Sequence, residues 1–320
     1  MAMRVASLLV LLALVSIPIG AGCQTRTVAL TFDDLPLADA GNAGMTPDER
    51  IATAQDVNRA ILAALHRHHA PAIAFVNENK VTAYGAAEPN REILRHWIAG
   101  GNDLGNHTFS HADLSKISAV EFEKEIVDGE ASIKPLMAEA GKPLHFLRFP
   151  YNHTGETAEK QRSVYDLLKQ HQYEVATCTI DNSDWVFARA YWVMLAKRDS
   201  RSARRLRSEY LSYTEKEINY YSQLDRQVFG RDIPHVMLLH ANRLNADTIH
   251  QLLKIFERLG FRFVTLSQAQ SDPAYRTPDT FVTPEGWMWG YRWARELNIK
   301  VDGRQEPQVP AWITQSPSSP

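Results

Sequence analysis

Short β-branched and aromatic runs alternate along this chain with longer stretches in which apolar residues recur every three or four positions. That pattern is expected of strand-helix units assembled into a parallel sheet or barrel, an α/β fold. Seven runs read as strands: residues 26–32, 72–76, 102–106, 145–149, 173–180, 235–239 and 261–266. Between them, Thr46-Pro47-Asp48-Glu49 and Ser118-Ala119-Val120-Glu121 match the capping box, whose side chains satisfy the free amides of a helix start, so helices are predicted to begin there. In the last core helix Ile249, Leu252, Leu253, Phe256 and Leu259 fall on one face, Asn245 is placed to cap the start and Gly260 to end it.

The interval 185–234 is too long for one helix and its loops, and its charged, largely glycine-free middle predicts an insertion of one or two extra helices at about 186–234. Its basic run of Lys197, Arg198, Arg201, Arg204, Arg205 and Arg207 suits a solvated helix face better than a grip on an anionic polymer. From residue 271 the chain is rich in Pro and Trp, and the stretch from Gln305 reads as a loosely ordered tail. Trp287, Trp289, Tyr291 and Trp293 suit either stacking on sugar rings or packing against the barrel. His66, His68 and His69 close a helix ahead of Pro71 and favour its carboxyl end electrostatically. His153 reads as a surface-loop residue.

Composition adds little until the N-terminus. With 320 residues, 44% hydrophobic and 22% charged, the chain can build a sizeable core, and a net charge of -2 gives no general attraction to nucleic acid or anionic membrane. Arg4 precedes an apolar run at 6–19, and Gly20, Ala21 and Gly22 lead into Cys23: an export signal over 1–22, too short for a stable transmembrane helix. Cys23 after small residues resembles a bacterial lipoprotein processing site, although Gly20 stands where that pattern usually carries Leu, and lipidation of Cys23 is left open. No later apolar stretch has membrane length, so the rest reads as soluble, exported to the periplasm or cell envelope, with membrane contact only through the signal or a lipid on Cys23. Cys178 is the only other cysteine; a disulfide framework is absent, and a core position is its simplest reading.

Polar residues cluster at the strand ends: Asp33 and Asp34 after the first strand, His107 and His111 after the third, Arg148 and Tyr151 after the fourth. Asp181 and Asp184 follow the fifth, and His240 the sixth. Parallel strands bring such ends to one face, where barrels of this kind build their active sites. His107 and His111, four apart, can reach one ion from a single turn or tight loop, and Asp34 is the best third ligand. Two His and one carboxylate leave a position for water, the arrangement of a catalytic site. Adjacent carboxylates at 33 and 34 repel each other when buried, and a cation or Arg148 accounts for them.

These residues fall into five ordered motifs: Thr31-Phe32-Asp33-Asp34, His107-Thr108-Phe109-Ser110-His111, Arg148-Phe149-Pro150-Tyr151, Asp181-Asn182-Ser183-Asp184-Trp185 and Leu238-Leu239-His240. Over residues 26–266 the chain resembles the polysaccharide deacetylases, the fourth family of carbohydrate esterases. The resemblance implies a distorted (β/α)7-type barrel over 23–270, with the helical insertion between the fifth and sixth strands and a 271–320 extension. It implies a divalent metal on Asp34, His107 and His111, with zinc first and cobalt or another divalent ion as alternatives. Asp33 is then the general base, Arg148 its orienting charge, His240 the general acid and Asp184 the partner of its imidazolium. Trp185 and Leu238 line the acetyl pocket, and the Tyr151 backbone amide stabilises the oxyanion. Leu35 and Asn152 depart from the family's usual glycines and imply a narrower or differently shaped groove.

The activity implied is removal of acetyl groups from an N-acetylated glycan of the N-acetylglucosamine type. O-acetyl ester hydrolysis on a xylan-type glycan, amide hydrolysis on a small non-sugar substrate, and a carbohydrate-binding protein without turnover are the competing readings. The last predicts glycan binding indifferent to Asp33→Ala.

Overall fold

The computed structural model describes residues 26–38 and 44–315; the apolar run at 6–19 and Cys23, which carry the export and lipidation reading, lie outside the described residues. Among the described residues there are eight strands: β1 (Arg26–Leu35), β2 (Ala72–Val76), β3 (Asp103–Asn106), β4 (Phe146–Leu147), β5 (Glu174–Val175), β6 (Ile180–Asp181), β7 (His235–His240) and β8 (Phe261–Val264). Every ladder is parallel, in the order β5-β4-β3-β2-β1-β7-β6, with β8 also on β1. Val28 and Ala29 pair with both β7 and β8, so β8 occupies the edge opposite β7, the edge that β2 takes from Leu30 onward.

The two edge strands, β5 and β6, are joined by only Ala176, Thr177, Cys178 and Thr179. A link that short spans roughly 17 Å fully extended, so the sheet has to curl until its edges approach. The result is the expected α/β barrel in a curled, open form. The predicted fifth strand at 173–180 is therefore two strands with different partners: β5 pairs with β4, and β6 with β7. An unbroken β-branched run cannot reveal that its ends pair on opposite edges. As a consequence the helical insertion falls between β6 and β7.

Side-chain alternation sets what faces inward. Ala29, Ile73, Phe75, Phe146, Ala176 and Val236 form one cluster with Leu266 and Ala269, while Val28, Leu30, Phe32, Met237 and Leu239 belong to the larger core shared with the helices. Parallel register aligns Ala29 with Val236, Thr31 with Leu238 and Asp33 with His240. The inner face thus runs from an apolar floor to a polar mouth. Gly105 in β3 has to be glycine, because a Cβ there would lie 2.3 Å from the Phe75 ring.

Both predicted capping boxes form, at Thr46 with Glu49 and at Ser118 with Glu121. The cap of helix Arg243–Arg258 is Asn242, whose side chain accepts from the Asn245 amide; Asn245, expected as the cap, is instead buried inside the helix with another task described below. The insertion consists of helices Asp184–Ala196 and Ser200–Phe229. Leu206 and Tyr210 are buried and Arg201, Arg204 and Arg205 exposed, as a solvated basic face requires. His68 does more than favour a helix end: its ring lies 2.7 Å from both Glu257 and His250, tying helix Pro47–Arg67 to helix Arg243–Arg258.

Residues 305–315 pack in place where a loose tail was expected from Gln305 onward, and 316–320 lie outside the described residues. Helix Trp289–Glu296 buries Trp289 and Trp293, with the Trp293 ring 5.3 Å from those of Phe229 and Tyr275, so these two Trp pack instead of presenting faces to a glycan. Glu306 accepts from the hydroxyls of Tyr221 (2.6 Å) and Tyr291 (2.8 Å), and Ile313 is buried. Polar anchors far apart in sequence hold this segment, a signal that local composition does not carry. No helix among the described residues is long and apolar enough to cross a membrane.

Under that segment lies Glu217, 1% exposed, with one carboxyl oxygen lacking a hydrogen bond. Burial, reinforced by the charges of Glu306 and Asp181, pushes its pKa up to about 8. From about pH 4.5, where the unfolded chain loses this proton, up to about 8, the folded state retains it, so stability falls as pH rises through that window. Glu217→Gln is expected to raise the melting temperature by about 2–4 °C at pH 8 and to leave it unchanged near pH 4.5. Equal effects at both pH values in thermal melts would contradict the assignment.

Candidate active site and metal centre

In a regular strand consecutive side chains face opposite sides, yet Asp33 and Asp34 both line one cleft. The cause is local. The β1–β2 register slips between Phe32 and Leu35, and Asp34 adopts a left-handed backbone at φ 69°. On the other side Asp33 is registered with His240, and the Ala241 amide donates to the Asp33 carbonyl at 3.1 Å.

His107 follows β3, its amide donating to Val76 (3.0 Å). The loop beyond turns back through left-handed Thr108 and His111, at φ 67° and 62°. Glu125 holds it by accepting from the Ser110 amide (2.7 Å) and hydroxyl (2.8 Å). His107 Nδ1 lies 2.8 Å from the Arg148 carbonyl, to which it donates, so its Nε2 lone pair faces Asp34. His107 Nε2 and His111 Nε2 stand 3.9 and 3.6 Å from Asp34 Oδ1.

The ligand atoms of Asp34, His107 and His111 all lie within 4.8 Å of one another, the one such cluster of His, Cys, Asp or Glu found among the described residues. Ligands on a tetrahedral ion with bonds near 2.1 Å are about 3.4 Å apart, so the set fits a divalent cation with small adjustment. Two further features suit the same group. Asp34 Oδ1 is buried and accepts no hydrogen bond, and burial lowers the pKa of both imidazoles to about 4, keeping them neutral as ligation requires.

Charge compensation comes from several sides. Burial alone would raise the Asp34 pKa, but Lys80 and His111, with His240 and His107 behind them, hold the carboxyl well below the usual range. Lys80 Nζ stands 3.2 Å from Asp34 Oδ1, an ion pair without hydrogen-bond geometry. Asp33 behaves oppositely: burial outweighs Arg148 and His240 and raises its pKa. Arg148 is fully buried, with Nη1 3.7 Å from Asp33 Oδ2, Nη2 donating to Thr31 Oγ1 at 3.0 Å and Nη1 donating to Cys178 Sγ. Cys178, expected as a plain core residue, is also the neighbour of this guanidinium.

His240 Nδ1 lies 2.6 Å from Asp184 Oδ1. Asp184 Oδ2 accepts from the His240 amide (2.9 Å), from Asn242 Nδ2 (2.9 Å) and from Asn245 Nδ2. Tyr210 of the insertion donates to Asn245 Oδ1 at 2.6 Å, so the insertion fixes this cluster from behind. Burial alone would depress the imidazole, but Asp184 reverses it and raises the His240 pKa to about 10.

The cleft encloses about 710 Å³, with Tyr151, Trp185, Leu238 and Asn152 also on its wall. Tyr151 and Trp185 are 56% and 48% exposed, so each presents a ring to solvent at the mouth. Leu35, in contrast, is fully buried in the main core, and its replacement of glycine does not narrow the groove. Asn152 sits at φ 55°, a conformation Asn tolerates better than most residues. His153 Nδ1 is 2.7 Å from Asp113 Oδ1. Asp34, Thr108, His111, Tyr151, Asn152 and Ser183 all carry positive φ; backbone strain thus concentrates around the cleft, as it does at functional sites.

All ten residues singled out from the sequence, Asp33, Asp34, His107, His111, Arg148, Tyr151, Asp184, Trp185, Leu238 and His240, lie on the cleft wall or in direct contact with a residue that does. Lys80, Asn242, Asn245 and Cys178 were missed. Lys80 was findable, since it follows the end of β2, the one early strand end left without a polar candidate. Asn245 looked like a cap, and nothing in its spacing tied it to Asp184.

Residues 22–176 match the family model described as Polysaccharide deacetylase, a match ending ahead of Asp184 and His240. A chitooligosaccharide deacetylase of Bradyrhizobium sp. (strain ANU 289) is 34% identical over 127 residues, 40% of this chain and 47% of that protein. A peptidoglycan-N-acetylglucosamine deacetylase of Bacillus cereus is 30% identical over 159 residues, 49% of this chain and 46% of that one. The chain thus spans about half the length of the curated relatives it matches. The crystal structure of a polysaccharide deacetylase from Bacillus cereus shares the fold, with a TM-score of 0.50 at 16% identity over 75% of this chain and 91% of that one. The ordered motifs, the curled parallel barrel and these matches agree in likening this chain to the polysaccharide deacetylase family, the family match itself covering residues 22–176.

Proposed function

We propose that the protein is an exported, metal-dependent deacetylase acting on an N-acetylated glycan of the N-acetylglucosamine type. One observation carries the reading: a buried carboxylate and a carboxylate-paired imidazole, Asp33 and His240, are registered neighbours on β1 and β7 beside the Asp34, His107 and His111 cluster. The names of the relatives, deacetylases of chitooligosaccharide and of peptidoglycan N-acetylglucosamine, support the substrate class. They also support action outside the cytoplasm.

A divalent cation on Asp34, His107 and His111, zinc or another ion that accepts mixed nitrogen and oxygen donors, would supply a more acidic water and polarise the acetyl carbonyl. Asp33 takes the proton of the attacking water; its Oδ1 is buried without a hydrogen-bond partner, and its raised pKa strengthens it as a base. Arg148 keeps the base oriented and compensates its charge. The Tyr151 backbone amide stabilises charge on the former carbonyl oxygen. His240, protonated at neutral pH with a pKa near 10, donates from Nε2 to the sugar nitrogen as the carbon-nitrogen bond breaks, giving free amine and acetate. Asp184 holds Nδ1 throughout, and Leu238 and Trp185 receive the acetyl methyl.

Acetate release is expected from N-acetylglucosamine oligomers or peptidoglycan, abolished by chelator and restored by zinc or cobalt. Asp33→Asn should lower kcat by roughly 10²- to 10⁴-fold. Release from acetylxylan alone would move the activity to O-acetyl esters, and release from none of the three would remove the deacetylase reading.

Asp184→Asn tests the acid separately. Activity that needs protonated His240 declines as pH rises through its pKa, and loss of Asp184 lowers that pKa. The alkaline limb of the kcat profile should therefore move to lower pH. An unmoved limb would remove His240 from the acid role.

A further inference from the structure

The family match ends at residue 176, yet the later segment from 279 to 292 packs on the turn after β4 and places Gly286 on the wall of the cleft. Arg292 has a fully buried side chain and ion-pairs with Asp279 at 3.0 Å. Its Nη2 donates to the Asn152 carbonyl (3.1 Å), Nη1 to Thr154 Oγ1 (2.9 Å) and Nε to the Trp287 carbonyl (3.0 Å). One guanidinium thus grips the turn that follows β4 and the tail that crosses it. Gln161 doubles the link, with Nε2 donating to Thr154 Oγ1 at 3.1 Å and to the Phe281 carbonyl at 3.4 Å.

The chain also passes against the same turn at Gly286, a cleft-lining residue. A Cβ there would stand 1.8 Å from the Tyr151 carbonyl oxygen and 3.3 Å from Asn152 Cβ. The turn between these supports is the strained one, with Tyr151 and Asn152 consecutive at φ 59° and 55°. Two successive left-handed residues other than glycine persist only where their surroundings over-determine them. Arg292 and Gly286 supply that determination.

We propose that Arg292 is a positioning residue, which with the close approach of Gly286 fixes the direction of the Tyr151 backbone amide; the catalytic part of this inference rests on the deacetylase reading above. The C-terminal segment is then a component of the active site. An amide stabilises a transient charge only when aimed in advance, and small misplacement lowers turnover while leaving substrate binding largely intact.

The test uses the full chain in three variants: the double variant Arg292→Met with Asp279→Asn, which removes the buried pair together; Arg292→Lys; and Gly286→Ala. Metal content, kcat, KM and hydrogen exchange of the 149–155 amides are measured for each. Expected are a roughly tenfold to hundredfold fall in kcat for the double variant, KM within about threefold, unchanged metal content and at least about tenfold faster exchange in the turn. Arg292→Lys should recover part of the loss, since an ammonium keeps the charge but not the planar fork. A folded double variant with parental kcat and parental exchange overturns the proposal. Should the double variant not fold, Gly286→Ala decides, because it leaves every Arg292 donor in place and displaces the turn sterically; parental kcat and exchange there overturn it equally. If the parent protein releases no acetate, the deacetylase reading fails by itself, and exchange alone judges the clamp: unchanged exchange in the variants overturns it.

Discussion

Two consecutive carboxylates at the end of β1, Asp33 buried and Asp34 with its side chain 15% exposed, are the constraint around which this molecule is arranged. Burying one ionised group without a partner is costly, and burying two side by side adds their mutual repulsion. Arg148 approaches Asp33 from β4, Lys80 approaches Asp34 from the segment after β2, and His240 answers from β7. The two acids respond differently to this environment, Asp33 becoming the more basic and Asp34 the more acidic. In the proposed mechanism a base and a ligand are thereby separated by one peptide bond.

Parallel pairing is what allows so many charges to meet. Each strand delivers its carboxyl end to the same rim, and registration between β1 and β7 carries an apolar pair, then Thr31 with Leu238, then Asp33 with His240 up one wall. Behind this ring a further layer sets orientation: the Arg148 carbonyl turns His107, Glu125 pins the His111 loop, and Asn242 and Asn245 hold Asp184. Tyr210 extends that layer into the insertion and Arg292 extends it into the C-terminal segment, so both additions to the barrel support the cleft.

Much of this was legible from residue order, because strand ends and helix caps leave local signatures. The motifs at 33–34, 107–111 and 148–151 needed only the rule that parallel strand ends share a face. What escaped depended on contacts distant in sequence. The division of 173–180 into two strands follows from which edges they join, the ordering of 305–315 from hydroxyls on the insertion, and the burial of Trp289 and Trp293 from packing against Phe229 and Tyr275. Asn245 shows the same limit at one residue: its position suits a cap, while its side chain serves Asp184.

The central claim is that Asp34, with the two imidazoles of His107 and His111, forms a cation site. Cobalt(II) titrated into metal-free protein and followed by visible absorption tests it most directly, since a tetrahedral mixed nitrogen and oxygen site gives intense d–d bands. The account predicts uptake of about one ion per chain with such bands, lost in His111→Ala. Absence of uptake, or uptake indifferent to His111→Ala, would contradict it.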